Sequence, residues 1–214
     1  MLISMVFWGL SWPSAKILTQ YSSPLNLVIY RYAVVLVTMF PLLFIVKIPL
    51  KLKWKGFPFL IISGLLLAIY SFMMFEGLKH GYAGAGGVMV TILSPIFAYI
   101  LSLLIQRKKP ALNEGIGLIL GLSAGCVMLK IWASAEAIFQ SGNIYFLIAS
   151  FLWATMSRFT AVSSRYGSPI AFTTWMYLIT FFSLLFLIDL SDFKQTLLIR
   201  DFAFWGNLIF SGAI

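Results

Sequence analysis

A chain of 214 residues that is 61% hydrophobic and 10% charged, with a mean hydropathy of +0.99, falls far short of the roughly 25% charged residues of an ordinary soluble domain. A water-soluble globule is excluded, and apolar runs of about 20 residues between short charged or Gly- and Pro-marked breaks describe an all-α, polytopic helical membrane protein. The net charge of +9 sits mostly in short loops, so the lipid bilayer is the expected partner and nucleic acid is not.

The spans read in chain order are 2–20, 25–46, 57–76, 82–105, 114–130, 143–163 and 169–188, followed by an eighth run that opens near Phe202 and stops at Ile214. The first run has no cationic leader and no small-x-small cleavage pattern, which predicts a retained helix. The runs lack the period-two alternation of a membrane β-barrel. Lys47, Lys51, Lys53 and Lys55 occupy the second loop, Arg107, Lys108 and Lys109 the fourth, and Arg165 the sixth. The odd loops mix charges: Glu76 with Lys79, Lys130 with Glu136, and Asp189, Asp192 and Asp201 with Lys194 and Arg200. Basic residues favour the cytoplasmic side, so the N-terminus is expected there, in a multi-pass protein.

A shift of 145 residues pairs Leu2-Ile3 with Leu147-Ile148, Trp8 with Trp153, Tyr21 with Tyr166, Ser23-Pro24 with Ser168-Pro169, and Tyr32 with Tyr177. Five spans separate equivalent helices, and an odd number turns the second copy over. An inverted repeat is therefore expected, the device by which many secondary transporters build two accesses to one midplane site.

Ser23 and Ser168 are suited to N-caps, with Pro24 and Pro169 at the first helical position. Pro13 opposite Gly9, and Pro95 opposite Thr91, predict kinks inside helices. Trp8, Trp12 and Lys16 recur at helical spacing beside Ser4, Ser11 and Ala15; they read as a cavity wall or as interfacial residues with a snorkelling lysine. Ser150, Trp153, Ser157, Thr160 and Ser164 form a similar face, either cavity-lining or interhelical glue. Arg31 and Arg158 lie about two turns inside their helices, where they can meet an anionic group or bond loop carbonyls. Glu114 after Asn113 caps a helix, and Glu76 and His80 sit at the outer edge.

No carboxylate lies mid-span, no phosphate-binding loop occurs, and neither an Asp pair nor a Ser-His dyad is present, so enzymatic or ATP-driven work is not expected. Cys126 stands alone, which excludes internal disulfides; no metal site or cofactor is expected. Gly81, Ala83, Gly84, Ala85, Gly86 and Gly87, and then Gly117, Gly121 and Gly125, allow close helix approach, within the chain or in a homodimer.

These residues resemble the EamA family of the drug/metabolite transporter superfamily. The resemblance is carried by Trp8-Gly9, Lys16, Pro24 and Arg31, by the stretch GYAGAGGVMVTILSP from Gly81 to Pro95, by Gln106-Arg107, and by the Gly117/Gly121/Gly125 helix. It implies ten helices in two inverted five-helix repeats, 1–130 and an incomplete 143–214, with the fifth helix peripheral. About seven complete helices and a shortened eighth are expected here. The family often carries Glu where this chain has Gln106. The resemblance implies substrate-path roles for Trp8, Trp12, Tyr70, Tyr82, Thr91, Trp153 and Ser157, to which the charge reading adds Lys16 and Arg31. The expected function is secondary transport of a small-molecule substrate, such as an amino acid or related metabolite, by export or exchange in a bacterial inner membrane. A non-transporting assembly subunit and a seven-helix receptor are the alternatives.

Overall fold

The computed structural model describes residues 2–47, 49–107, 112–128, 142–163, 165–188 and 190–213. Lys108, Lys109, Lys130, Glu136, Ser164 and Asp189, named above, lie outside them. Among the described residues the fold is helical throughout: α1 (Leu2–Leu18), α2 (Pro24–Val46), α3 (Phe57–His80), α4 (Ala83–Gln106), α5 (Leu112–Met128), α6 (Asn143–Ser163), α7 (Pro169–Leu185), α8 (Leu190–Leu197) and α9 (Phe202–Ala213).

Four segments combine the length and apolarity needed to cross a bilayer: α2, α3 with the turn before it, α4, and α6. Helices α1, α5 and α7 have 17 residues each, about 25 Å at 1.5 Å per residue, just under a hydrocarbon core of about 30 Å. The seventh helix ends earlier than its sequence run implied. The chain then forms α8, which the hydropathy pattern concealed because Ser191, Asp192, Lys194 and Gln195 break the apolar run.

Local chemistry explains the helix starts. Ser23 and Ser168 hold nearly the same extended backbone, φ −65° and ψ 147° against φ −69° and ψ 144°, and a proline follows each. Only Ser168 caps with its side chain, accepting from the Ala171 N–H at 3.1 Å; Ser23 makes no such bond. Pro13 and Pro95 lie inside α1 and α4 as expected, and Pro41 adds a third internal proline in α2. Helices α2 and α4 close on left-handed caps at Lys47 and Arg107, φ 53° and 52°, which place cations at helix C-termini.

Helix α3 runs through the middle of the bundle, packing most extensively on α6 and then α7, while α4 covers the other side of α6. Glycines let these backbones approach. The Phe146 ring of α6 fills the space a side chain would need at Gly77 and Gly86, and the Trp12 indole lies over Gly86 and Gly87. Helix α5 lies against α4, with Gly121 over Ile96 and Gly125 over Ile92, whereas Gly117 faces open space. Tyr99 of α4 donates its hydroxyl hydrogen bond to Glu114 of α5.

Several contacts recur at the 145-residue shift. The Tyr21 ring meets Phe204 at 5.5 Å, and the Tyr166 ring meets Phe59 at 5.6 Å. Helices α1 and α2 seat on α9 as α6 and α7 seat on α3. Tyr32 and Tyr177, equivalent residues of α2 and α7, meet each other with ring centroids 5.7 Å apart.

Candidate functional site

A cavity of about 1030 Å³ opens between α1, α2, α3, α4, α6, α7 and α9. That is at the upper end of the size of small-molecule pockets. Its lining extends to Ile3 and Met5 at the exposed start of α1 and to Leu42 near the end of α2, and at the other end it stops at Ala15 and Arg31.

The aromatic wall is built in layers. Trp8 and Trp12, one helical turn apart, stand edge to face with centroids 6.2 Å apart, and Trp12 abuts Phe146 at 6.1 Å. Across the cavity Trp153 of α6 lies 4.9 Å from Tyr70 of α3. Tyr32 and Tyr177 close the floor, and the Tyr32 hydroxyl pairs with Ser71 at 2.8 Å. Offset and tilted ring pairs of this kind suit aromatic quadrupoles and leave faces for a planar guest.

Hydroxyl side chains recur along the lining, from Ser4 and Ser11 of α1 to Ser211 of α9. Ser157 bonds back to the Trp153 carbonyl at 2.8 Å, and Thr91 to the Gly87 carbonyl at 2.5 Å, one turn before Pro95. Ser94 is buried, lines the cavity, and its hydroxyl has no partner. Half-buried Arg31 donates from Nε to the Ser211 carbonyl of α9 at 3.0 Å, and its Nη1 lies 4.0 Å from the Met74 sulfur.

Of the residues singled out from the sequence, Trp8, Trp12, Arg31, Tyr70, Thr91, Trp153 and Ser157 share this cavity. Lys16 and Tyr82 do not line it. The Lys16 ammonium donates to the Leu78 carbonyl at 2.5 Å, occupying the end of α3 where helix carbonyls lack partners, and Tyr82 is exposed at the start of α4. Neither Arg158 nor Thr160 lines the cavity, and Ser150 is buried, bonding the Phe146 carbonyl at 2.7 Å and reaching toward that of Met89. The sequence reading missed Ser71, Ser94, Met74, Met176 and the lining roles of Tyr32 and Tyr177. The repeat had already flagged the two tyrosines as a matched pair.

The side remote from the start of α1 carries several hydrogen bonds between elements. Tyr21 donates to Asp201 at 2.6 Å, Ser22 and Thr196 share a hydrogen bond of 2.7 Å, and Asn26 donates to Asp192 at 2.7 Å. Tyr30 stacks on Phe193 at 4.5 Å. The Tyr21 hydroxyl, with the Ala203 N–H second, holds the Asp201 carboxyl below the usual value of 3.8, and the same bond raises the Tyr21 phenol. On the opposite side Lys53 N–H donates to the Tyr166 carbonyl at 2.8 Å, and the Trp175 indole N–H to the Leu50 carbonyl at 3.0 Å.

Comparison with known proteins agrees with this architecture. The chain is 25% identical over 173 residues to an uncharacterized transporter of Archaeoglobus fulgidus, covering 80% of this chain and 60% of that protein. It is 24% identical over 184 residues to a riboflavin transporter of Vibrio cholerae, covering 83% and 61% respectively. The chain thus spans about three-fifths of the length of these curated relatives. No solved structure matches it significantly. The EamA-like transporter family matches residues 1–130, well over half of the chain. This multi-pass helical membrane protein belongs to the EamA-like transporter family.

Proposed function

We propose that the aromatic cavity is the substrate site of a secondary transporter that works by alternating access between two inverted repeats, 1–130 and 143–214. The observation that carries this reading is the central position of the cavity, with Trp8 and Trp153, equivalent at the 145-residue shift, on its two walls. An inverted pair of halves can exchange conformations, so that the end tied by Tyr21–Asp201 opens as the other closes. The conformation described here is the one open toward the start of α1. With the N-terminus on the cytoplasmic side of an inner membrane, as the loop charges indicate, that is the inward-facing state. The substrate is a small metabolite with a planar part, a class that includes the molecule named in the riboflavin transporter relative. Amino acids remain in that class through their aromatic members, and export or exchange is the proposed direction.

Thiol labelling tests the reading. Ser157→Cys, in a Cys126→Ser background, is expected to react with a membrane-impermeant thiol reagent from the side where α1 begins, at a rate that changes when a transported solute is added. An introduced thiol that labels only after denaturation would contradict it.

A further inference from the structure

We infer that the cavity selects planar aromatic monoanions over their uncharged and zwitterionic counterparts, a substrate class that rests on the transport reading above. Arg31 is the one charged side chain on the cavity wall among the described residues. Its Nε is engaged by a backbone carbonyl and one Nη1 contact goes to a thioether, a weak acceptor, so the Nη2 face of the guanidinium is free for an anion. A carboxylate can accept a charge-assisted hydrogen bond there.

The carboxylates of the described residues are engaged elsewhere. Glu76 lies 3.5 Å from His80, Glu114 accepts from Tyr99, Asp192 accepts from Asn26, and Asp201 accepts from Tyr21. None of them lines the cavity. A ligand ammonium would therefore meet aromatic faces, hydroxyls and the like charge of Arg31 but no carboxylate of the described residues, while losing its water. Tyr32, next to Arg31 in α2, meets Tyr177 with ring centroids 5.7 Å apart, and both line the wall with Tyr70. Cation, hydroxyls and ring faces thus converge at one end of the cavity. The tilted Tyr70–Trp153 pair offers the surface for a ring, and the unpartnered Ser94 hydroxyl offers a bond to a polar ring substituent.

Three probes isolate the charge. Indole-3-propionate carries the ring and a carboxylate, indole-3-propionamide carries the ring without charge, and tryptophan adds an ammonium to the first. Calorimetric titration of the purified chain in nanodiscs is expected to show indole-3-propionate binding at least tenfold tighter than either of the others. Arg31→Gln should erase the difference between acid and amide, and Arg31→Lys should keep part of it. Equal binding of acid and amide to the unmodified chain, tighter binding of tryptophan, or no binding of the acid each overturns the inference, and none of these needs a variant that folds. The order is read without flux. Transport of an uncharged solute by a chain that ignores the carboxylate would sink this inference and leave the transport reading standing.

Discussion

Gly64 of α3 and Gly212 of α9 pack against equivalent residues of α7 and α2. A Cβ on Gly64 would lie 3.3 Å from the Met176 carbonyl oxygen and 2.9 Å from Ile179 Cβ; on Gly212 it would lie 3.1 Å from the Arg31 carbonyl oxygen and 2.9 Å from Val34 Cβ. Met176 and Ile179 are the 145-residue equivalents of Arg31 and Val34. The position equivalent to Gly64 at that shift is Ile209, so the two crossings use matched partners on α7 and α2 but are displaced by three residues, close to one helical turn, along α3 and α9. Gly64→Ala and Gly212→Ala should each lower stability by about 1–3 kcal/mol, the usual cost of overpacking, read as a lower thermal midpoint in detergent. An unchanged midpoint in both would show that the crossings are loose.

Gly142 combines a positive φ of +77° with a neighbour that a side chain would strike, the Gly77 carbonyl oxygen 2.5 Å from an added Cβ. Gly142→Ala carries both the left-handed strain of about 1–2 kcal/mol and the clash, so it should destabilise more than either helix-crossing variant. Thermal unfolding of the three variants side by side checks the ranking.

The Tyr21–Asp201 clasp makes stability depend on pH in a defined direction. Asp201 is held below its ordinary carboxyl value, so its contribution is present above the usual 3.8 and is lost as pH falls through the lowered value. Tyr21 is raised, so its contribution is present below the usual 10.0 and is lost as pH rises through the raised value. Tyr21→Phe should therefore be less stable than the parent at neutral pH, and the difference should shrink toward both acid and strong alkali. A difference in thermal midpoint that does not vary with pH would show that the clasp contributes only packing.

Lys16 bonds the last carbonyls of α3 and does not line the cavity. Lys16→Met should cost about 1–2 kcal/mol through the lost helix-end cation and hydrogen bond, while the affinity for indole-3-propionate stays within about twofold. Calorimetric titration and thermal unfolding of the same preparation separate the two effects.

Much of the helical plan was legible because it is local. Pro24 and Pro169 mark helix starts by removing an N–H that has no partner there, and the charged breaks mark the ends. Trp8 and Trp153 could be placed together because the repeat carries information across 145 residues. Helix α8 escaped notice because its eight residues are amphipathic and their apolar side meets α2 only through tertiary contacts such as Tyr30–Phe193. Lys16 looked like part of the aromatic stripe because spacing fixes the face of a helix but not what stands opposite, here the end of α3. Ser94 and Ser71 carry no signal in a sequence, and only the assembled bundle shows one unpartnered and the other bonded to Tyr32.

Solute flux into vesicles containing the protein tests the central claim most directly, with a panel of aromatic acids, aromatic amino acids and riboflavin compared across the parent chain, Trp8→Ala and Trp153→Ala at equal abundance. The account predicts flux of at least one solute by the parent and at least a tenfold loss in both variants. Undiminished flux in both would contradict the assignment of the aromatic cavity as the transport path.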